Sequence, residues 1–306
     1  MTNRITDDFD NFVRKITINE KERKDIIFKH NSLSNMIKTD TPEGYEVDRI
    51  NLSGSYAKHT VLNEKDNRKL PDVDMIVVLN RPPASDKTIN DFLNYFILKK
   101  EKVTKNIRRQ SNSIGLIYSG ISVDIVLAKE ENGKLFIASD NEGRWIESNA
   151  LVHVDYMKRQ QEKYEINYHG LMKLFKYLNK YVVENKLKSY TLEMLIHQAV
   201  PKYKVDQTLP EVFKDTLGNI LNIQDVTDIR DSSDETKAGY DKKDEKRFGG
   251  FQKELKEFYT LAVEACDGLR KNWEKIFGED FPKQPDVKVD NNNNYKTNQS
   301  PWSFYE

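Results

Sequence analysis

Two acidic residues open an apolar segment in a way that suits metal-dependent chemistry. Asp72 and Asp74 flank the start of a predicted strand, Val73 to Leu79, and side chains two residues apart project from the same face of a strand. Two carboxylates held this close repel each other unless a proton or a cation lies between them. Because water reaches the mouth of a strand, a divalent metal is favoured there over a shared proton, and oxygen-only ligands suit magnesium or manganese.

A third acid belongs with this pair. Asp124 lies in the segment Gly120 to Ala128, whose apolar residues alternate onto one face while Asp124 falls on the opposite face. An acid within so apolar a strand is costly to bury without a partner. If this strand pairs beside residues 73–79, Asp124 completes a site with three carboxylates and two metal ions. Taken alone, each acid could instead cap a strand end or be solvated.

A glycine–serine pair precedes the acids. Gly54 and Ser55 follow a short predicted strand, Ile50 to Leu52, and open a polar turn. The order of a Gly-Ser turn, an Asp-x-Asp pair and an apolar strand with a third acid favours a catalytic site over unrelated surface acids.

Hydrophobic periodicity indicates the elements that position these residues. In the first half of the chain, apolar stripes predict helices over residues 18–38 and 86–100, and alternation predicts strands over residues 106–109, 113–118 and 121–128. The order of these elements indicates an α+β fold, with a small mixed sheet and helices on one side. The sequence contains no glycine-rich dinucleotide-binding fingerprint.

The second half of the sequence is predominantly helical. Apolar stripes predict helices over residues 166–185 and 189–200 and a final helix over about residues 247–277, whereas the polar segment 228–250 is predicted to be a loop. Ser189 begins the second of these helices, where its hydroxyl could cap the backbone or where a phosphate could bind.

These patterns predict a chain with two lobes and a tail. We expect a catalytic core with a long N-terminal helix over residues 1–150, and a helical lobe that completes the active-site cleft over residues 151–281. Residues 282–306 contain an asparagine run and are expected to form a flexible tail. The aromatic residues near its end, Trp302 and Phe304 with Tyr305, could dock elsewhere on the protein.

Composition limits the partners and the compartment. The chain has 306 residues, 49 of them basic and 49 acidic, so its formal net charge is zero. A chain without net charge has no overall attraction to nucleic acid or membranes, so any basic groove depends on local clustering. The single cysteine, Cys266, excludes an intramolecular disulfide and fits a reducing compartment. Since the sequence shows neither a signal peptide nor an apolar run that could span a bilayer, we expect a cytoplasmic protein.

Gly54-Ser55, Asp72-Val73-Asp74 and Asp124 together resemble the motifs of the nucleotidyltransferase superfamily with the DNA-polymerase-beta-like fold. Within it, the chain resembles the cGAS/DncV-like nucleotidyltransferases, the bacterial cyclic-oligonucleotide synthases of anti-phage (CBASS-type) signalling. That narrower resemblance rests on Lys176-Tyr177 and on Ser189-Tyr190-Thr191-Leu192-Glu193. It implies a bilobed fold with a polymerase-beta-like mixed sheet and a C-terminal helical lobe.

The resemblance implies a role for each acid and for the Gly-Ser turn. Asp72 and Asp74 would bridge two Mg²⁺ or Mn²⁺ ions, and Asp124 would hold the ion at the nucleophile. Gly54 would let the turn approach the triphosphate of the substrate, and Ser55 would donate a hydrogen bond to its terminal phosphate.

The resemblance also assigns nucleotide contacts to the helical half. Lys176 and Ser189 would hold the triphosphate, and Tyr190 would stack on a nucleobase. Lys173 lies one turn from Lys176 and is an alternative phosphate ligand. On the residues alone, a lysine beside an apolar helix stripe is usually solvated, and Tyr190 could belong to the core.

The sequence departs from the family at one position in the Gly-Ser turn. Related sequences often continue with Tyr-Ala-Arg-Gly-Thr, whereas here Lys58 and His59 precede Thr60. Loss of that glycine would narrow the approach of the backbone to the phosphates, and His59 could contact them instead.

The implied activity is synthesis of a cyclic di- or trinucleotide second messenger from nucleoside triphosphates. The alternatives are transfer of a nucleotide to an antibiotic, an RNA end or a protein, and a non-catalytic nucleic-acid sensor on the same fold. The implied partners are an effector reached through the product and an activating RNA or phage-derived ligand. Basic residues that could line an RNA surface, or could simply be solvated, are Lys105, Arg108, Arg109, Lys158 and Arg159.

Overall fold

The computed structural model describes residues 2–63, 72–99, 104–139, 143–202 and 206–283. Its helices are Thr2–Lys15 (α1), Glu20–Thr39 (α2), Gly54–Ala57 (α3), Ser85–Leu98 (α4), Ala150–Lys163 (α5), Tyr168–Tyr181 (α6), Ser189–Ala199 (α7), Leu209–Leu221 (α8), Phe248–Cys266 (α9) and Lys271–Phe277 (α10). Its strands are Glu46–Ser53 (β1), Asp72–Asn80 (β2), Thr104–Arg109 (β3), Ile114–Tyr118 (β4), Ile121–Glu131 (β5), Lys134–Ala138 (β6), Trp145–Ser148 (β7), Arg230–Asp231 (β8) and Asp234–Ala238 (β9).

Strands β1 to β7 form one mixed sheet. The strand order is β1-β2-β5-β4-β3, with β6 paired to β5 and β7 paired to β6. The neighbours β2 and β5 run parallel, whereas the other pairs described in this sheet are antiparallel. The α+β fold with a mixed sheet is therefore confirmed.

Alternation along β2 divides its side chains between the two faces of the sheet. Val73, Met75 and Val77 pack against Leu33 of α2 and Phe92 of α4 in the larger core of the sheet.

A smaller cluster lies on the opposite face of the sheet. There, Ile76 and Val78 join Ala128 of β5, and Leu151 at the start of α5 packs on them. The expectation of helices on one side only is therefore wrong, because the chain leaves β7 into a helix that covers part of the second face. We call the sheet with α2, α3 and α4 the sheet lobe.

The remaining helices share a separate core. We call α6 to α10, together with α1, the helical lobe, because they enclose one hydrophobic cluster. Phe9 and Phe12 of α1 are fully buried in it, and the Phe9 ring packs edge-on against Trp273 of α10 with centroids 4.8 Å apart. Burying a side chain of this size stabilises the fold by about 1.5–3 kcal/mol, so α1 holds the N-terminus against the C-terminal helices.

Two predicted elements differ from the structure. The final helix is divided into α9 and α10, and Gly268 between them has a φ of +119°, which ends a helix at little cost to glycine. The segment predicted as a loop contains the β8–β9 hairpin. Its Asp231 is buried and accepts a hydrogen bond from the Tyr190 hydroxyl at 3.0 Å, so contacts distant in sequence order this polar stretch.

Part of the chain lies outside the described residues. This part includes 284–306, so the expected flexible tail and the possible docking of Trp302 and its aromatic neighbours lie outside the described residues.

Candidate active site

The structure brings the three predicted acids together on neighbouring strands. β2 and β5 are paired so that Asp74 lies opposite Asp124 and Asp72 lies opposite Ser122. Alternation places all three acids on one face, near the end of the sheet where β2 begins. Asp72 is exposed, whereas Asp74 and Asp124 are half-buried. The adjacency predicted from the strand pattern is therefore present.

Burial and mutual repulsion make the carboxylate of Asp74 hard to ionise. Its pKa is raised to about 6, first by burial and then by the charges of Asp124 and Asp72, while Lys58 and Lys176 oppose the shift. Burial also raises the pKa of Asp124. A cation bound among these acids would relieve the repulsion between them.

The oxygen donors of these acids fit a hard divalent cation such as Mg²⁺ or Mn²⁺. Among the described residues, no three His, Cys, Asp or Glu side chains already form a closed cluster of metal ligands. Magnesium usually takes only one or two carboxylates together with substrate phosphates. An incomplete set of protein ligands is therefore compatible with the predicted site.

Gly54 makes a contact with Asp74 that no other residue could make. Its φ is +61°, in the left-handed region that glycine adopts without steric cost. A Cβ at this position would lie 1.7 Å from Asp74 Oδ2. The turn that begins with Gly54 therefore closes directly against the acid.

A cleft of about 740 Å³ lies between the sheet lobe and the helical lobe. Ligand pockets typically enclose roughly 300–1,000 Å³. Four of the predicted site residues line it: Ser55 and Asp72 from the sheet lobe, and Lys176 and Ser189 from the helical lobe. Ser189 is the first residue of α7, so the N-terminus of that helix meets the cleft.

Of the two lysines predicted as alternative phosphate ligands, Lys176 lines the cleft. Its Nζ donates to Thr60 Oγ1 at 2.7 Å, and burial lowers its pKa to about 8. Lys173 is instead 8% exposed and donates from Nζ to Thr17 Oγ1 at 2.9 Å. The position of Lys176 is thus the better suited to a ligand in the cleft.

Tyr190 is 37% exposed and does not belong to the core. Its hydroxyl donates to Asp231 Oδ2 at 3.0 Å. Oδ1 of Asp231 in turn accepts from the Ser233 hydroxyl at 2.5 Å and lies 2.8 Å from His153 Nε2. The hairpin that the sequence predicts as a loop therefore anchors the phenol of Tyr190.

An ion pair between the lobes was not predicted from the sequence. Lys58, just after α3, pairs with Glu193 of α7, and their side chains are only 12% and 5% exposed. Although burial favours its neutral form, Lys58 and Lys176 lower the pKa of Glu193. The sequence offers no spacing that would link two residues 135 positions apart, although Glu193 lies within the motif that carries the resemblance.

Two further side chains contact the third acid. Gln110 Nε2 donates to Asp124 Oδ1 at 2.9 Å, and a guanidinium nitrogen of Arg108 lies 3.7 Å from the same oxygen. Both residues come from β3 and the turn that follows it. Their contact with Asp124 depends on strand pairing, so no sequence motif indicates it.

His59 stands where related sequences often have glycine, and its φ is +56°. This left-handed conformation is uncommon for residues other than glycine. The ring packs edge-on against His169, with centroids 5.5 Å apart, while the next residue, Thr60, lines the cleft. His59 therefore adopts a backbone conformation that favours glycine.

Comparison with known sequences identifies a family. The pattern of the Second Messenger Oligonucleotide or Dinucleotide Synthetase domain matches residues 3–161, just over half of the chain. No curated protein matches the sequence significantly.

Several solved structures have a similar fold. CdnC of E. coli MS115-1, in its complex with HORMA-deltaN, has a TM-score of 0.71 at 19% identity, over 90% of this chain and 98% of that chain. CdnG of Bradyrhizobium diazoefficiens, in complex with GTP, has a TM-score of 0.65 at 13% identity, over 90% and 95% of the two chains. DncV of Vibrio cholerae, a cyclic AMP-GMP synthase, has a TM-score of 0.62 at 12% identity, over 88% and 93%. The likeness extends over both lobes.

Within the described ranges, none of the helices combines the length and the apolar composition that crossing a membrane would require.

Proposed function

The chain belongs to the Second Messenger Oligonucleotide or Dinucleotide Synthetase family, and from this premise we propose that it makes a cyclic di- or trinucleotide in the cleft between its lobes. The observation that carries the proposal is that acidic and basic groups approach the cleft from opposite lobes. Asp72 lines the cleft from the sheet lobe, with Asp74 and Asp124 beside it on the same face of the sheet. Lys176 and Ser189 line the cleft from the helical lobe.

The acids would hold the metal ions. Asp72 and Asp74 would together hold two Mg²⁺ or Mn²⁺ ions, with Asp124 as a third ligand. Such ions, when bound, acidify a coordinated hydroxyl and neutralise charge on the departing pyrophosphate. Asp124 would also accept the proton of that hydroxyl.

The opposite wall would hold the triphosphate. Lys176 provides an ammonium that Thr60 already orients at 2.7 Å, and Ser189 adds a hydroxyl at the N-terminus of α7, where backbone N–H groups favour anions. Ser55 would donate to the terminal phosphate from the turn beside Gly54. The ion pair with Lys58 would keep the carboxylate of Glu193 charged. That negative charge opposes the lowering of the pKa of Lys176 by burial and so favours its protonated form.

The charge of the cleft favours a second nucleotide as the acceptor. Lys180 and Lys186 line the cleft in addition to Lys176, and such a density of lysines suits polyanionic reactants. A transferase for a cationic antibiotic would need an acidic wall at this place. The synthase is therefore preferred to transfer onto a drug, and clustered acids are of no use to a non-catalytic sensor of nucleic acid.

Product analysis tests this proposal. The purified protein is incubated with nucleoside triphosphates labelled at the α-phosphate and with Mg²⁺ or Mn²⁺. We expect a product that resists phosphatase, because a ring has no terminal phosphate, and whose mass is that of a cyclic di- or trinucleotide. Labelled product that is wholly phosphatase-sensitive, or that forms only after an RNA or a drug is added, would contradict the synthase.

Tyr190 provides a second prediction. If its ring stacks on a nucleobase, Tyr190→Ala should weaken triphosphate binding by about 1–3 kcal/mol, measured by titration calorimetry. Tyr190→Phe keeps the ring but removes the hydrogen bond to Asp231, so it should retain most of the affinity. Unchanged affinity in Tyr190→Ala, with a lower melting temperature, would show that the residue is only structural.

The wider setting extends the proposal. We keep the division into a core over residues 1–150, a helical lobe over 151–281 and a tail as a proposal, although α1 within the first range packs in the cluster of the helical lobe. The product would act on a separate effector in anti-phage defence in the cytoplasm, and an RNA or phage-derived ligand could activate synthesis.

A further inference from the structure

Asp124 has different neighbours on the two strands that flank it. On one side it is next to Asp74 of β2, and on the other it is next to Gly115 of β4. Gly115 has no positive φ, so backbone conformation does not require glycine there. A Cβ at Gly115 would lie 2.6 Å from both Arg108 Nε and Gln110 Nε2. The missing side chain therefore leaves the space through which Arg108 and Gln110 reach Asp124.

Gln110 is held in one orientation. Its Oε1 accepts from the Ser113 hydroxyl at 3.0 Å, and its backbone N–H donates to the Ser113 carbonyl at 2.9 Å. Its Nε2 is then directed at Asp124 Oδ1, 2.9 Å away. The reverse amide orientation would place a carbonyl oxygen against a carboxylate, which the repulsion between two acceptors excludes.

The contacts on Asp124 use only one of its oxygens. Gln110 and Arg108 both approach Oδ1, and among the described residues no hydrogen bond is made to Oδ2. A carboxylate held through one oxygen keeps the other available to a metal ion or to the attacking hydroxyl. Because the amide of Gln110 is neutral, it can fix the carboxylate without competing with a cation for its charge.

We infer that Gln110 is a positioning residue for Asp124, held by Ser113 and given room by Gly115. Residues that orient a metal ligand through a hydrogen bond typically contribute roughly 10–100-fold to metal affinity or activity. The inference rests on the proposed function in so far as Asp124 is a metal ligand. Arg108 has the opposite effect, since its positive charge competes with the metal for the same carboxylate.

Mn²⁺ binding measures the effect without catalysis. Mn²⁺ is titrated into nucleotide-free protein and free Mn²⁺ is followed by electron paramagnetic resonance. Gln110→Leu should weaken binding and lower kcat by roughly 10–100-fold, with an unchanged melting temperature. Gly115→Ala crowds both Gln110 Nε2 and Arg108 Nε. It should weaken Mn²⁺ binding less than Gln110→Leu does, because displacing the competing charge of Arg108 offsets part of the loss. The control is Asn112→Ala, in the exposed turn between β3 and β4, which should match the unsubstituted protein in Mn²⁺ affinity and kcat.

Two further variants separate the possible failures. Arg108→Ala should bind Mn²⁺ at least as tightly as the unsubstituted protein, because a competing charge is removed. If it weakens binding as much as Gln110→Leu does, the effect is a general disturbance of β3 and the inference is wrong. Unchanged Mn²⁺ affinity and kcat in Gln110→Leu would also overturn it, provided that Asp124→Asn loses both. If Asp124→Asn itself retains both, the proposed metal site fails instead.

Discussion

Replacing Asp72 and Asp74 together by asparagine should abolish product formation, and it should cost no more than either replacement alone. Both carboxylates are expected to bridge the same metal ions, so removing one already disables the unit to which the other belongs. Residues that act as one catalytic unit show this lack of additivity, with losses of roughly 10⁴-fold or more for a single member. Initial rates of pyrophosphate release in the two single variants and the double variant would measure it.

Removing the charge of Asp74 should not lower the stability of the protein. The pKa of Asp74 is raised to about 6 from 3.8, so its ionisation in the folded state costs stability. That cost is fully present above the folded pKa and disappears as the pH falls below the unfolded value. In the absence of divalent metal, Asp74→Asn should therefore unfold at a temperature at least as high as the unsubstituted protein at neutral pH, and this advantage should vanish in acid. Asp155→Asn, which changes an exposed acid of α5, is the control for this stability measurement.

Robust synthesis by the double variant at Asp72 and Asp74 would contradict the assignment of the site.

Gly54→Ala should cause the second large loss of activity. A Cβ at Gly54 would lie 1.7 Å from Asp74 Oδ2, so either the turn or the acid must move. A displacement of about 1 Å at a reacting centre can cost on the order of 100-fold in rate. We therefore expect at least that loss in kcat, with the melting temperature lowered only by the strain of the left-handed backbone.

Gly44 offers a matched control for that strain. Its φ is +84° and a Cβ there would meet no atom within 4 Å. Gly44→Ala should cost the roughly 1–2 kcal/mol of stability that a left-handed conformation costs an L-residue, and it should leave kcat unchanged. Equal losses of kcat in the two variants would mean that Gly54 acts only through backbone strain and not through Asp74.

The adjacency of the acids could be predicted from the sequence because strand alternation has a fixed period of two residues. Alternation along β2 and β5 sends Asp74 and Asp124 to the same face as Ile76 and Val126, and burial of the apolar residues fixes the register. The Gly-Ser turn and the start of α7 were likewise local patterns. Such patterns survive folding because the side chains that define them are neighbours along the chain.

The supporting contacts could not be predicted, because they join residues that only the fold brings together. Gln110 meets Asp124 across a strand pair, and Lys58 meets Glu193 across the cleft. Helix α1 was also missed, although Phe9, Phe12 and Val13 follow a helical period, because its stripe is short and its partners lie at the other end of the chain. The polar β8–β9 hairpin was predicted as a loop since its order comes from Tyr190 and other distant side chains.

The ratio of pyrophosphate to incorporated nucleotide tests the central claim most directly. Each new phosphodiester bond releases one pyrophosphate, so a closed ring yields one pyrophosphate for every nucleotide in the product. A linear dinucleotide yields only half a pyrophosphate per nucleotide, because its first triphosphate remains. With triphosphates and Mg²⁺ as the only reactants, we predict a ratio of one in phosphatase-resistant product, and none of that product from Asp74→Asn. A ratio well below one, or incorporation that requires another acceptor, would contradict synthesis of a cyclic oligonucleotide.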